Sequence, residues 1–369
     1  MPSLLLALSA VLACQAAGAP APAQAPAEAP PAPKMSAFVS PLYLGETPPP
    51  VRSLSVIHLV HAEVPNAERA VTRSHAETLE LATHIVTLLR SGEDFQALAR
   101  EYSADKNAAT GGCLGSFPPG LLTPQLDSFL FAAEVGQVSE PIEAPNGIHI
   151  AQRVETYAAT RHILVRGTTE AERKKAEALK ARIEAGEDFG ELARASSDDP
   201  FSKERGGLFT IFERGPEDRL LKAAAFDLSV GEVSDPIETS VGYHLIQRVP
   251  LEGHPPELRE SSMVRLRAIL VSHDNTPLGA ISNKRTMPEA EKLARELHAR
   301  IQAGGDMAAI ARETNDDLGG KERSGDLGWV HRNNPRSAPF LAGAFAADPG
   351  ELLDPLLTNV GWVILRRER

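Results

Sequence analysis

Short apolar runs, each typical of a buried strand, recur three times along the chain. They read SVIHLVH at 55–61, TRHILVRG at 160–167 and RLRAILVS at 265–272, which is a period slightly above one hundred residues. Each run is followed by apolar residues at steps of three and four, a spacing that predicts an amphipathic helix packed on the strand. The pattern therefore predicts three copies of one structural unit.

In each copy the first helical pattern ends at a glycine and a second helix begins at an aspartate, as in SGEDFQALA, AGEDFGELA and AGGDMAAIA. The carboxylates suited to cap those second helices belong to Asp94, Asp188 and Asp306. Eleven residues beyond each cap stands another aspartate, namely Asp105, Asp199 and Asp317. Because this spacing is kept while the nearby loops change length, the later aspartates are candidates for a functional role.

A glycine-rich turn, a short helical pattern and a closing strand complete each copy, the closing strands reading NGIHIAQRV, VGYHLIQRV and VGWVILRRE. In our alignment of the opening strands, one position is occupied by His58, His162 and Ala268. One position of the closing strands is occupied by His149, His244 and Val363. The first two copies thus carry a pair of histidines that the third lacks.

This order of elements predicts an α+β fold of three tandem domains, each a small, mostly antiparallel sheet with packed helices. Each copy, at about 90 to 105 residues, is long enough to fold by itself. We expect a signal peptide at 1–14 and an Ala/Pro-rich linker at 15–50. The domains are expected at 51–157, 158–250 and, for the degenerate third copy, 263–369.

The composition narrows the class of protein. With 42% hydrophobic and 24% charged residues, the chain of 369 residues has the composition of a soluble globular protein. A net charge of -11 argues against a nucleic-acid partner. The two cysteines are Cys14, near the N-terminus, and Cys113, inside the first copy, so we expect no structural disulfide.

The N-terminus is typical of an export signal. LLLALSAVLAC is a short apolar segment that ends in small residues and is too short to span a bilayer. Within it, VLAC resembles the lipobox of bacterial lipoproteins, which implies acylation of Cys14; a plain cleaved signal peptide is the alternative. The Ala- and Pro-rich segment that follows predicts an extended tether, which suits a spacer from a membrane surface.

The repeated motifs together resemble parvulin-type peptidyl-prolyl cis/trans isomerases, the rotamase domains of bacterial periplasmic and surface foldases. The shared motifs are an HIL(V) opening strand, an SxD turn, a GGDLGxF loop, an F…AF segment that runs into GE.S.PI, and a closing GxHII.R strand. They recur in this order over nearly all of residues 52–368. The resemblance implies an isomerase that acts on X-Pro bonds of unfolded, exported polypeptides and uses no cofactor.

The resemblance also assigns a site to each of the first two copies. Its facing histidines and adjacent acid fall on His58, His149 and Asp105, and on His162, His244 and Asp199. The apolar wall around the substrate proline falls on Leu114, Phe117, Leu122, Leu126 and Phe131 in the first copy. In the second copy it falls on Phe209, Phe212, Leu221 and Phe226, with Leu208 and Phe209 interchangeable. The third copy, with Ala268 and Val363, is expected to bind peptide or to pack, with little or no catalysis.

Rotation about an X-Pro bond breaks amide resonance, a barrier of about 18 to 20 kcal/mol, and needs no nucleophile. An apolar pocket that strips water from the amide favours its twisted state. The two histidines would hydrogen-bond to each other across adjacent strands, while the aspartate sets their tautomer and the local potential.

The sequence allows three other interpretations. Two histidines and one carboxylate also suit a metal ion, but the motif context already assigns these residues, so we expect no metal. A phosphate-directed site would need a basic cluster, and Arg173, Lys174 and Lys175 instead suit the solvated face of a helix. The stronger alternative is a non-catalytic holdase that binds unfolded clients through tandem peptide grooves.

Overall fold

The computed structural model describes residues 41–65, 71–216, 220–277, 285–334 and 338–369. The predicted signal peptide and most of the linker, including Cys14, lie outside these residues. Among the helices in the described ranges, none is long and apolar enough to cross a membrane.

The first domain has a four-stranded antiparallel sheet with the order β2-β1-β4-β3. The strands are β1 (Arg52–Leu59), β2 (Cys113–Phe117), β3 (Ile142–Ala144) and β4 (Gly147–Val154). Helices α1 (His75–Arg90) and α2 (Phe95–Tyr102) connect β1 to β2, and α3 (Pro124–Ala132) follows β2.

The second domain repeats this arrangement with the order β6-β5-β8-β7. Its elements are β5 (Tyr157–Arg166), α4 (Glu170–Glu184), α5 (Phe189–Ser196), β6 (Leu208–Glu213), α6 (Leu220–Asp227), β7 (Ile237–Thr239) and β8 (Gly242–Val249).

The third domain has the order β10-β9-β12-β11. Its elements are β9 (Met263–Val271), α7 (Met287–Gln302), α8 (Met307–Thr314), α9 (Leu318–Glu322), β10 (Asp326–His331), α10 (Ala338–Ala346), β11 (Leu352–Thr358) and β12 (Gly361–Arg367). Three antiparallel sheets with packed helices confirm the predicted α+β class and the threefold repeat.

Each sheet is apolar on both faces, because the longer helices cover one face and the short helix covers the other. In the second domain, Ile163 and Leu245 pack under α4 and α5. On the opposite face, Ala158 and Ile246 pack with Ala225 of α6. The short-helix face also carries the residues predicted to form the substrate site.

The predicted helix caps are confirmed. The carboxylates of Asp94, Asp188 and Asp306 accept hydrogen bonds from backbone amides in the first turns of α2, α5 and α8, at 2.7, 2.8 and 2.9 Å. These caps fix the residue at which the second helix of each copy begins.

The strand register corrects the alignment of the opening strands. His149 lies opposite His58, whereas its counterpart in the second domain, His244, lies opposite Leu164. His58 therefore corresponds to Leu164. The residue of the first domain that corresponds to His162 is Val56, which lies 106 residues earlier in the chain.

Backbone hydrogen bonds to the glycine-rich turns give the same alignment. The amides of Val56, His162 and Ala268 donate to the second residue of each turn, Gly112, Gly207 and Gly325, at 2.8, 2.8 and 2.9 Å. The prediction that His58 and His162 are equivalent is wrong by two residues. A shift of two keeps every side chain on the same face of a strand, so the apolar pattern could not detect it.

Gly207 shows why the turn needs glycine. Its φ is +79°, and a Cβ atom there would lie 2.7 Å from the carbonyl oxygen of His162 and 3.1 Å from Cβ of Ala193. Gly186 has a similar positive φ of +99°, but nothing lies within 4 Å of a Cβ atom built there.

We expect Gly207→Ala to lower the free energy of unfolding of the second domain by more than Gly186→Ala does. Both variants carry the strain of a positive φ, about 1 to 2 kcal/mol, but only the first also forces β5 and α5 apart. Urea unfolding monitored by circular dichroism measures the difference. Equal losses in the two variants would contradict the close approach at Gly207.

Candidate active site

His162 is buried in the middle of β5, with 3% of its surface exposed. Its Nε2 atom lies 2.8 Å from Oδ2 of Asp199 and 2.7 Å from Oγ of Ser202. Ser202 also donates a hydrogen bond from its hydroxyl to Asp199. A buried imidazole must be hydrogen-bonded to be stable, and this carboxylate and hydroxyl satisfy one of its two nitrogens.

The loop after α5 holds Asp199 in place. Oγ of Ser197 accepts from the amide of Leu164 at 3.2 Å, and the amide of Asp198 donates to the carbonyl of Leu164 at 2.8 Å. The carboxylate of Asp199 then accepts from the amides of Phe201 and Ser202 at 3.2 and 3.0 Å. The loop is thus fastened to the strand that carries His162.

Asp199 is ionised over a wide pH range. Its burial acts to raise the pKa, but the hydrogen bonds from Ser202, His162 and the amide of Phe201 outweigh that effect and lower the pKa to about 2. The carboxylate is therefore negative at neutral pH, and it can only accept hydrogen bonds from its neighbours.

His244 lies on β8, where 6% of its surface is exposed. Its Nδ1 atom is 3.4 Å from Nδ1 of His162, a long form of the hydrogen bond expected between the two imidazoles. Its Nε2 atom is 3.1 Å from Oγ1 of Thr239. Burial and the neighbouring His162 lower the pKa of His244 to about 4, against the opposing effect of Asp199.

The protons of this network can be placed by counting donors. Burial also lowers the pKa of His162, with Asp199 acting in the opposite direction, so both imidazoles are neutral at pH 7. The Nε2–H group of His162 donates to Asp199, which leaves its Nδ1 to accept from Nδ1–H of His244. Nε2 of His244 lies 3.1 Å from Oγ1 of Thr239, whose hydroxyl donates to the carbonyl of Gly242 at 3.0 Å. The result is an ordered polar chain from Asp199 to Thr239.

An apolar wall stands beside this chain. The ring of Phe209 stacks on His162 with centroids 3.9 Å apart and an interplanar angle of 8°, and Phe212 meets Phe209 edge-on. A cleft of about 340 Å³ opens over His162, Asp199, His244 and Phe209. Phe209, not Leu208, is thus the aromatic neighbour of the imidazole, although both line the cleft.

The other predicted wall residues of the second domain lie outside the lining of this cleft. Phe212, Leu221 and Phe226 belong to the apolar core under α6. Phe226 also stacks with the guanidinium of Arg214, which lies 3.9 Å from its ring centroid. All three belong to the same apolar cluster as Phe209.

Sequence reasoning missed several residues of the site. Ser202, Thr239, Phe201 and Leu258 all lie at the polar chain or around the cleft. Ser202, three residues after the conspicuous Asp199, could have been suggested by that spacing. Leu258 comes from the segment between the second and third domains, where no motif marks it.

The first domain has a different arrangement at the corresponding place. Val56, 3% exposed, takes the position of His162. The rings of His58 and His149 stack, with centroids 4.5 Å apart and an angle of 12°. Each is bonded to Asn146 rather than to the other: Nε2 of His58 lies 2.8 Å from its carbonyl oxygen, and Nε2 of His149 lies 3.1 Å from its Oδ1.

Asp105 does not bond to either imidazole of the first domain in the described contacts, and instead caps its own turn through the amide of Asn107 at 2.8 Å. Burial and the nearby His58 lower the pKa of His149 to about 4, against the effect of Asp105. The expected hydrogen bond between His58 and His149 is replaced by stacking, because the two side chains lie directly opposite each other in the sheet.

The predicted wall of the first domain is an apolar cluster. Leu126 is buried, while Leu114, Leu122 and Phe131 are partly buried around it. Phe117 is 9% exposed, and its ring lies 5.9 Å from that of His331 in the third domain. Part of this wall therefore serves contact between domains.

The third domain has no imidazole at either position. Ala268 and Val363 are buried in its apolar core. Burial raises the pKa of Asp317, although Arg323 and backbone amides oppose the effect. The third domain thus keeps the aspartate of the motif, Asp317, but lacks the two histidines beside it.

Within the described ranges, no group of three or more His, Cys, Asp or Glu side chains is arranged to hold a metal ion. Cys113 is a buried free thiol that lies 3.5 Å from the carbonyl oxygen of Gly215. Burial raises its pKa, so the thiol is protonated at neutral pH and poorly reactive.

The family model of the rotamase domain, described as a PPIC-type PPIase domain, matches residues 58–155, 162–249 and 269–369. These matches span most of the chain, and the protein belongs to the PPIC-type peptidyl-prolyl isomerase family. Parvulin-type rotamase domains, as the sequence motifs suggested, are thereby confirmed.

Two similar curated proteins are named Chaperone SurA. The protein of Nitrosococcus oceani is 31% identical over 204 residues, which cover 52% of this chain and 48% of the relative. That of Methylococcus capsulatus is 35% identical over 181 residues, which cover 46% and 40%. The chain thus matches about half the length of these relatives.

Similar solved structures include the peptidylprolyl isomerase PrsA from Bacillus cereus, at 35% identity and a TM-score of 0.24, covering 28% of this chain and 38% of that one. Another is Pin from Cenarcheaum symbiosum, at 39% identity and a TM-score of 0.23, covering 26% and 93%.

We expect the imidazole of His244 to remain neutral until the pH falls to about 4. Since this pKa is below the 6.5 of an unfolded chain, the unfolded state gains the proton first. The stability that the site contributes is therefore complete above pH 6.5 and is lost as the pH falls from 6.5 towards 4. Histidine NMR titration of the full chain measures the pKa, and a midpoint near 6.5 for His244 would contradict the buried network.

Proposed function

We propose that the second domain catalyses cis/trans isomerisation of X-Pro bonds in unfolded, exported polypeptides. The observation that carries the proposal is the buried, neutral pair of His162 and His244, bonded to the ionised Asp199 and placed under an apolar cleft. Family membership supports the reaction class.

The cleft would act first by removing water. A planar X-Pro amide has a charge-separated resonance form that is lost when the bond twists, so an apolar surrounding favours the twisted state. Phe209 supplies such a surface directly on His162. An acceleration of about 10³ to 10⁶ requires about 4 to 8 kcal/mol of differential stabilisation.

The polar chain would add to this effect through its potential. The carbonyl oxygen of a planar amide is more negative than that of a twisted one. The negative charge of Asp199, extended by the dipoles of the two imidazoles, raises the energy of the planar form more than that of the twisted form. Neutral imidazoles matter here because a protonated His244 would cancel the charge of Asp199.

The first and third domains would bind polypeptide without comparable catalysis. The first has Val56 in place of His162, and the third has Ala268 and Val363. We therefore assign the catalytic role to the second domain alone and place His58, His149 and Asp105 outside it. The N-terminal segment would direct export to the periplasm, and acylation of Cys14 would attach the protein to a membrane.

A holdase chaperone is the second candidate function. It is favoured by the relatives named as chaperones and by a cleft of about 550 Å³ in the third domain, lined by Phe340, Leu353, Leu356, Val363 and Leu365. Several weak peptide sites on one chain would hold unfolded clients by multivalent contact. Both activities could reside in different domains of this chain.

We expect His162→Val, which installs the residue of the first domain, to lower kcat/KM for a Xaa-Pro peptide at least about tenfold. His58→Val should leave it within about twofold, because that residue corresponds to Leu164. An NMR exchange assay on the full chain measures both. A large loss in His58→Val together with an active His162→Val would overturn the assignment of the second domain.

The two functions can be separated in one variant. The double change His162→Val with His244→Val should abolish most isomerisation while the chain still suppresses aggregation of an unfolded client, since the apolar clefts remain. Light scattering of a diluted, denatured client measures the suppression. Loss of both activities in a folded variant would mean that holding depends on the catalytic pair.

A further inference from the structure

Residues 41–46 precede the first domain in the chain but lie against the third. Tyr43 forms an antiparallel bridge with Trp329 on the outer edge of β10, and the amide of Trp329 donates to the carbonyl of Tyr43 at 2.9 Å. Leu42, with 5% of its surface exposed, belongs to the apolar core of the third domain together with Val330 and Leu341. The segment is therefore seated as an added strand.

Most polar contacts from the third domain to this segment are directed at its backbone. Two contacts involve side chains: the hydroxyl of Tyr43 donates to the carbonyl of Pro119 in the first domain at 2.7 Å, and the carboxylate of Glu46 lies 3.7 Å from the guanidinium of Arg369. The carbonyl oxygen of Gly45 accepts from Nε1 of Trp329 at 3.1 Å and from Nη1 of Arg265 at 2.9 Å. The carbonyl oxygen of Glu46 accepts from Nη1 of Arg369 at 3.1 Å. Every residue has such a carbonyl, so this pattern recognises an extended chain rather than one sequence.

A glycine on the edge of the third domain, Gly328, lies very close to the backbone of Tyr43. Gly328 has a φ of +68°, and a Cβ atom there would lie 2.2 Å from the carbonyl oxygen of Tyr43. The corresponding residue of the second domain is Thr210, where the linker residue Arg259 instead forms a parallel bridge with Ile211 on the strand edge. Gly328 thus allows the backbone at Tyr43 to lie close to β10.

We propose that the outer edge of β10 is a strand-addition site for extended polypeptide segments, and that residues 41–46 occupy it in cis. The edge selects an extended backbone, and the core beside it takes one aliphatic side chain, here Leu42. The partner class is an unfolded polypeptide with an aliphatic residue at that place. This strand-addition site lies in a different domain from the proposed isomerase site and does not require isomerase activity.

The cis segment acts as a tethered competitor. A segment joined to its site by a short linker has an effective concentration of about 1 mM, so weak free peptides are excluded until it leaves. Release of residues 41–46 exposes an unpaired strand edge and the apolar place of Leu42 together. The third domain, which lacks both histidines, would in this way hold clients without acting on their prolines.

The test measures binding of a fluorescein-labelled peptide with the sequence of residues 41–48, PLYLGETP, to full-length variants by fluorescence anisotropy. Leu42→Asp weakens the cis segment and should bind the peptide at least about tenfold more tightly than the parent chain does. Thr47→Asp, a change to the same residue at an exposed position just beyond the segment, should bind like the parent. Adding Gly328→Val to Leu42→Asp should abolish binding.

The proposal is overturned if Leu42→Asp, folded by circular dichroism, binds no better than the parent, or if Gly328→Val leaves the binding intact. Should Leu42→Asp disrupt the third domain, Leu42→Ala provides the same comparison with a severalfold gain expected. Isomerase activity of Leu42→Asp is measured in parallel. A chain that binds the peptide without isomerising X-Pro bonds would contradict only the proposed catalysis.

Discussion

The second domain depends on one hydrogen bond, that between His162 and the ionised Asp199. It allows an imidazole to be buried in the middle of a strand where an aliphatic residue would be easier to accommodate. It also fixes the tautomer of His162, and thereby the direction in which His244 donates. The carboxylate is held by Ser202 and by two backbone amides, so the whole polar chain is ordered in the folded domain. Preorganised charge of this kind is effective because it needs no rearrangement when the substrate changes.

The three copies show how little of the scaffold must change to remove this arrangement. Strand order, capping aspartates and glycine-rich turns are common to all three domains. In the first, a valine at position 56 leaves Asp105 without an imidazole to bond, and the remaining histidines stack on each other. In the third, Asp317 is buried without an imidazole to bond, and burial raises its pKa where that of Asp199 is lowered. The same carboxylate position thus changes its electrostatic character with its partner.

The three domains also contact one another through buried side chains. The carboxylate of Glu213 in the second domain accepts from the amide of Ser262 at 3.0 Å and bonds to Ser116 of the first domain. Glu213 is only 5% exposed, so this junction is part of the packed interior. Phe117, a wall residue of the first domain in the resemblance to parvulins, lies beside His331 of the third. Glu213 and Phe117 thus take part in packing between the domains.

The sequence by itself determined the threefold repeat, the α+β class and the helix caps, because these depend on local periodicity and constant spacing. The resemblance to parvulins singled out His162, His244 and Asp199, and the folded chain brings these three residues together. Only the tertiary structure decided which residue of the first copy stands where His162 stands in the second. A strand repeats every two residues, and the shift between His58 and Val56 is also two, so both alignments place the same kinds of side chain on each face. Hydrogen bonds to Gly112, Gly207 and Gly325 resolve the choice, since they join residues far apart in sequence. For the same reason, Leu258 at the cleft and Leu42 in the third domain could be found only from the folded chain.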